Sequence, residues 1–308
     1  MADLPTMLRL GTRTSRLATW QAAHVAAGLE AAWPGLRVAL VPYVTEGDRR
    51  LGQPLPEIGG KGLFTAELEA DLRAGRLDLA VHSLKDLPTE DPPGLALGAI
   101  TRRADARDAW VCPAGLGLAA LPAGAVVGTS SLRRAAQLLA RRPDLTVRSI
   151  RGNVETRVRK TQQGDYDATV LALAGLDRLG RRDAVTAILD FDTMLPAPGQ
   201  AALAVQVRED DEAARRAVAA LDHAATRMAV EAERHFLAAL GGGCSAPVAA
   251  LGTVEGGRLR LRGRICAVDG SAVVEVADSA ALRPDAAEGM GRAAAAEALA
   301  RGARALMP

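Results

Sequence analysis

The chain has 308 residues, 49% of them hydrophobic, which is enough to bury more than one core, and its formal net charge is only +2 at pH 7. That near-neutral balance excludes a generally basic surface of the kind that coats nucleic acid, and 3% aromatic residues exclude stacking platforms for single strands. Cys112, Cys244 and Cys266 are odd in number and far apart, and His24, His82, His223 and His235 show no ligand spacing, so no disulfide framework and no metal site are predicted. A reducing cytoplasm is the expected compartment. The N-terminal residues have no basic start followed by an apolar core, and no apolar run nears membrane-spanning length, which predicts neither export nor a membrane span.

Residues 8–10 read as the first strand, residues 11–15 (Gly-Thr-Arg-Thr-Ser) as a turn, and residues 17–32 as a helix. A strand, a small-residue turn and a helix head make an anion site, because free backbone N–H groups and the helix dipole converge on the turn. Arg13 would add a bidentate carboxylate clamp, although such turns also cap helices routinely. Residues 37–44 alternate toward a strand. Three glycines then surround Lys61 in residues 58–64, a loop suited to closing over a ligand but lacking the spacing and hydroxyl of a phosphate loop. Residues 64–74 read as a helix with Phe64, Leu68 and Leu72 inward and Glu67, Glu69 and Asp71 mostly solvated. The following strand, residues 78–81, ends in a crowded polar row of His82, Ser83, Lys85 and Asp86. Ligands of open α/β sheets bind beyond strand carboxyl ends, so the chemistry is expected there. Of the 38 basic residues only Lys61, Lys85 and Lys160 are lysines, and a lysine kept where arginine dominates is a candidate for function.

From about Thr101 the plan restarts. Residues 125–127 form a strand, residues 128–131 (Gly-Thr-Ser-Ser) a turn and residues 132–140 a helix, while residues 142–147 echo 33–38 and residues 164–170 echo 75–81. Two α/β halves that each open with an anion-ready turn predict facing domains with a ligand in the cleft. Arg133 and Arg134 lie just inside a predicted helix start, where cations oppose the dipole, so they ask for a bound anion. Arg141, Arg142, Arg148 and Arg159 read instead as the scatter of an arginine-rich composition.

Residues 195–200 read as a crossover and residues 201–207 as an apolar strand returning to the first domain's sheet. Residues 209–240 are mostly helical until Gly241-Gly242-Gly243-Cys244 interrupts them. Three glycines let backbone lie close to something bulky and expose the thiol, which favours a reactive Cys244 over a structural one; Cys112 and Cys266 read as structural. Strands at 248–254, 259–268 and 272–277 and an alanine-rich helix at 286–306 form a small α+β domain. The expected domains are residues 1–100 with 199–220, residues 101–198, and residues 221–308.

Taken in order, Gly11-Thr12-Arg13, Gly59-Gly60-Lys61-Gly62, residues 80–86 (Ala-Val-His-Ser-Leu-Lys-Asp), residues 128–134 (Gly-Thr-Ser-Ser-Leu-Arg-Arg), Arg151-Gly152-Asn153 and Gly242-Gly243-Cys244 resemble the motifs of the porphobilinogen deaminase (hydroxymethylbilane synthase) family. The resemblance spans almost the whole chain. It implies two similar doubly wound, periplasmic-binding-protein-like α/β domains flanking a cleft, plus a small α+β C-terminal domain. It implies a transferase that joins four porphobilinogen molecules head to tail, releasing ammonia, to give hydroxymethylbilane. It also implies a dipyrromethane cofactor linked covalently through Cys244, and a cytoplasmic monomer that binds neither nucleic acid nor membrane. By the same resemblance Asp86 is catalytic; Lys85, Ser15, Thr129, Ser131, Arg133, Arg134 and Gly152 face the cofactor; and Arg13, Lys61, Ser83, Arg151, Arg157, Arg178 and Gln200 face substrate. Glu57 stands where relatives often carry lysine, and Glu155 competes locally for Arg157. The rival reading is a non-catalytic anion-binding module resembling a periplasmic solute-binding protein, which would leave Asp86 and Cys244 idle.

Overall fold

The computed structural model describes residues 5–45, 65–243 and 246–307. Lys61, Glu57, the rest of the glycine-lysine loop and Cys244 lie outside the described residues. The chain divides into two compact units, residues 1–103 with 202–227, and residues 104–201 with 228–308.

Unit one is built on a five-stranded sheet of order β2-β1-β3-β10-β4, formed by β1 (Met7–Arg13), β2 (Arg37–Tyr43), β3 (Leu79–Ser83), β4 (Leu95–Ile100) and β10 (Leu203–Arg208). β1, β2 and β3 are parallel, and β10 runs antiparallel between β3 and β4. Helices α1 (Arg16–Ala32) and α6 (Glu212–Ala219) cover one face, burying Leu8, Leu10, Val25, Leu29, Leu79, Val81, Val205 and Val218. On the other face α2 (Ala66–Arg73) packs Leu68 and Leu72 over Leu77, Ala80 and Leu95. The acids of α2 are not the solvated residues that the helical pattern predicts. Glu69 is buried, and Asp71 accepts the Tyr43 hydroxyl at 2.5 Å and pairs with Arg76. The partners of Asp71 lie outside the helix, which helical periodicity does not reveal.

Unit two repeats this topology in a sheet of order β7-β6-β8-β5-β9, from β5 (Asp108–Val111), β6 (Val126–Gly128), β7 (Thr146–Arg148), β8 (Ala168–Ala172) and β9 (Ala187–Ile188). β6, β7 and β8 are parallel, and β5 is antiparallel to β8 and β9. The two sheets match residue by residue. Asp78 accepts the Arg9 N–H through Oδ2 at 2.7 Å and returns its own N–H to the Arg9 carbonyl at 3.0 Å, while Asp167 does the same with Val126 at 2.6 and 2.9 Å. Gly11 sits opposite Ala80 as Gly128 sits opposite Thr169, so those two pairs occupy equivalent places. Both glycines are demanded by close packing, since a Cβ would run into the Leu77 side chain in one and approach Tyr166 to 2.8 Å in the other. Helices α3 (Leu132–Arg141), α4 (Val154–Gln162) and α5 (Leu173–Arg178) clothe the sheet, with Trp110, Val127, Leu138 and Val170 buried on one face and Val111, Val158, Leu171 and Leu176 on the other.

The rest of unit two is an antiparallel sheet, β11 (Val248–Glu255), β12 (Arg258–Cys266) and β13 (Val273–Ala281), covered by α8 (Ala286–Ala300) and by α7 (Ala224–Ala239). Phe236 of α7 and Leu240 just after it pack with Leu259, Leu261, Ile265 and Met290. Glu233 of α7, fully buried, accepts the N–H groups of Gly199 and Gly252 at 2.6 Å each, so one carboxylate ties the crossover segment to β11. No helix among the described residues is long and apolar enough to cross a membrane.

Candidate active site

The polar row after β3 is shaped by a single 3₁₀ turn, Leu84–Asp86. Residues three apart eclipse in such a turn, so buried Leu84 and Leu87 anchor one side while Lys85 and Asp86 face outward. Leu84 donates its N–H to Ala202 O at 3.0 Å, and Leu87 closes the turn on Leu84 O at 3.1 Å. Asp86 is exposed, and among the described residues none donates a hydrogen bond to its carboxylate. Ser83 accepts a 2.9 Å hydrogen bond from Gln21, a buried residue of α1 that sequence reading passed over. Ser15 caps α1 by accepting the Ala18 N–H at 3.3 Å, and half-buried Arg13 ends β1 beside it.

His82, in the same strand, is buried, and loss of hydration pushes its imidazole down to about 4, with the Arg13 charge acting in the same direction and Gln206 opposing both. A base whose folded pKa lies below its unfolded value of 6.5 gives stability that is complete above pH 6.5 and drains away as pH falls toward 4. Wild-type protein is therefore expected to lose about 3 kcal/mol more than His82→Gln between pH 7 and pH 4, a difference that urea unfolding at the two pH values will read. Equal losses in the two proteins would show that His82 is not held neutral.

In unit two the loops after β6 and β7 meet at two helix heads. Ser131 caps α3 through the Arg134 N–H at 3.5 Å and takes support from Thr129 Oγ1, 3.2 Å from its own N–H. Ser130 reaches Ile150 O at 2.7 Å, and Thr129 donates its N–H to Arg148 O at 2.9 Å, which stitches the turn to the arginine loop. Gly152 has φ +114°, where a side chain would strain the backbone and a Cβ would meet Thr156 at 2.6 Å. Asn153 then caps α4 through the Thr156 N–H at 2.9 Å. Arg157 Nε donates to Gly152 O at 2.8 Å, and Arg151 is half-buried in the same loop.

The anion that Arg133 and Arg134 require is supplied partly from within, a correction to the expectation that a ligand alone provides it. Asp108, at the start of β5 and fully buried, receives Arg133 at 2.9 Å and Arg134 at 2.7 and 3.2 Å. Arg134 spends its remaining terminal nitrogen on Val170 O at 3.1 Å, and Arg133 donates to Leu195 O at 2.6 Å. Gln200 is also fully buried and gives its amide to Asp108 at 2.9 Å and to Ala106 O at 2.8 Å. Arg178 bonds Ala201 O at 2.7 Å, and burial pushes its guanidinium down to about 10. Asp108 escaped notice because an acid opening the apolar run Asp-Ala-Trp-Val reads as a strand boundary, and nothing local marks its partners. The cluster pairs two guanidiniums with one carboxylate at the head of α3, and among the described residues Nε of Arg133 is buried without a partner. An excess positive charge and an orphan donor there suit a ligand rich in carboxylates.

Unit one thus presents an accessible carboxylate at Asp86, and unit two, taken by itself, holds a buried arginine pair at the head of α3. Residues 8–216 match the family model described as "Porphobilinogen deaminase, dipyromethane cofactor binding domain", and residues 227–300 match the C-terminal domain of that family. A porphobilinogen deaminase from a Roseiflexus species is 52% identical over 300 residues, covering 97% of this chain and 98% of its own; one from Syntrophotalea carbinolica is 50% identical over 296, covering 96% and 93%. Among solved structures, the methionine binding protein MetQ is similar over 70% of this chain and 90% of its own, at 14% identity and a TM-score of 0.45. The chain belongs to the porphobilinogen deaminase family.

Proposed function

We propose Asp86 as the carboxylate on which this chain's reaction turns. The reaction is that of its family: four porphobilinogen molecules are joined head to tail, with release of ammonia, to hydroxymethylbilane in tetrapyrrole synthesis. The observation that carries the proposal is the geometry of the 3₁₀ turn, where Leu84 and Leu87 are buried and hold an acid outward with no hydrogen bond from any described residue. When the aminomethyl C–N bond of porphobilinogen breaks, its electron pair leaves with ammonia and a cationic pyrrole remains. A fixed carboxylate stabilises that charge as it develops and accepts pyrrole N–H groups, so its contribution is largest in the transition state.

The cofactor-binding residues fit a polycarboxylate on the evidence of the orphan Arg133 Nε and the unbalanced arginine pair. When bound, dipyrromethane supplies a free pyrrole α-carbon for the first addition. Ser15, Lys85, Thr129, Ser131, Arg133 and the open backbone at Gly152 are the groups we assign to holding it, with Arg134 serving chiefly to fix Asp108. Arg13, Lys61, Ser83, Arg151 and Arg157 are assigned to the acetate and propionate groups of substrate; Arg178 and Gln200 support that role from beneath, through Ala201 O and Asp108. We place the covalent anchor at Cys244, and the protein in the cytoplasm as a monomer that binds neither nucleic acid nor membrane.

Intact mass of the purified protein beside Cys244→Ser tests the anchor. The wild type is expected to exceed its sequence mass by two linked pyrrole units, and the variant to match its own. If wild-type protein stays unmodified after incubation with porphobilinogen, the covalent assignment fails and a non-catalytic anion-binding module becomes the better account.

A further inference from the structure

Among the described residues, His82 Nε2, Gln206 Oε1 and Thr65 Oγ1 of unit one are buried polar atoms with no hydrogen-bond partner. The three residues belong to one layer. In the antiparallel β3–β10 pair His82 lies opposite Ala204 and Gln206 opposite Ala80, so His82 and Gln206 stand diagonally on the same face of the sheet. Ala80 packs there against Leu68 and Leu72 of α2, the helix that Thr65 heads. Gln206 lies near enough to the His82 ring to favour its protonated form as a hydrogen-bond acceptor would, yet among the described residues Nε2 and Oε1 have no partner in full hydrogen-bonding geometry. Buried polar atoms in folded proteins are almost always bonded, through ordered water where no side chain reaches.

Unit two shows that the fold itself has no need of this pair. With Ala80 and Thr169 equivalent, His82 corresponds to Leu171 and Gln206 to Val111, both buried in an ordinary apolar cluster. The polar pair occurs only in the half that carries the exposed acid. We propose that His82 and Gln206 bind one internal water in this layer and act through it as positioning residues, fixing the end of β3 from which Ser83, Lys85 and Asp86 project. The proposal rests on Asp86 as the reacting carboxylate. His82 directly precedes Ser83 in the strand, so a shift in its ring moves the start of the turn.

Transplanting the unit-two pair tests this. His82→Leu with Gln206→Val is expected to fold, and to lower kcat about tenfold with KM unchanged, because a slightly displaced catalytic group costs turnover before binding. Each single substitution should cost about as much as the double, since both remove the same water. A double variant with wild-type kcat, or losses that multiply, would overturn the proposal. Gln206→Glu gives an answer that does not depend on turnover. Its carboxylate should raise the imidazole titration of His82 by at least 2 pH units in an NMR titration, and an unmoved imidazole would show that the side chains do not face each other. Normal turnover of Asp86→Asn would instead remove the acid assignment and leave the water site standing.

Discussion

Asp86→Asn is expected to lower kcat about a thousandfold while leaving the urea unfolding midpoint unchanged. The two parts of that result have separate causes. Asp86 is exposed, and Leu84, Leu87 and the backbone bonds of the turn hold the local shape without its carboxylate, so an isosteric amide does not disturb the fold. What the amide lacks is the negative charge that opposes the cation formed as ammonia leaves. KM should move less than kcat, because the missing interaction strengthens only as charge develops. Stopped-time assay of hydroxymethylbilane, with denaturation run on the same preparations, separates the effects. Turnover within tenfold of wild type would remove Asp86 from the catalytic role.

Asp108→Asn is expected to be the most destabilising conservative change in unit two, costing about 3–5 kcal/mol. Asp108 is fully buried with two guanidiniums and the Gln200 amide on its two oxygens, and neutralising it leaves two cations inside the protein without their counter-charge. Arg133 already feels this environment, since desolvation lowers its pKa while Asp108 raises it. The same substitution should cut the fraction of protein carrying cofactor, because the α3 head relies on Asp108 to hold Arg133 and Arg134. Denaturant unfolding reads the first effect and intact mass the second. A variant as stable as wild type would mean that Asp108 is not the charge that balances the pair.

Much of this arrangement is legible in the sequence because it follows from local chemistry. Strand, small-residue turn and helix at residues 8–32 and again at 125–140 announce themselves by composition, and the structure places β1 with α1 and β6 with α3 there. The polar row at 82–86 stands out because it interrupts an apolar strand. Other features depend on partners far along the chain. β4, Leu-Ala-Leu-Gly-Ala-Ile, has no alternation, since α6 and α2 cover it on both faces, so it gives no strand signal. Asp108 looks like a boundary residue until Arg133 and Arg134 are folded onto it, and Glu233 looks like any helical acid until it receives Gly199 and Gly252. Gln21 and Gln206 carry no motif, and the pairing of His82 with Gln206 across β3 and β10 comes into view only through strand register and burial.

The duplicated sheet also limits how the work is divided. Carrying the equivalence of Ala80 and Thr169 forward along the chain sets Ser83 against Ala172, Lys85 against Ala174 and Asp86 against Gly175. The scaffold was copied, but the reactive edge has no counterpart. A protein with an acid in each half would have two stations competing for a growing chain, each able to start or end it. On the proposal that Asp86 is the reacting acid, every unit is added at one fixed point in unit one. On the same proposal, arginine substitutions in the loop between β7 and α4 should alter how many units accumulate before release, which intact mass of the loaded protein will read.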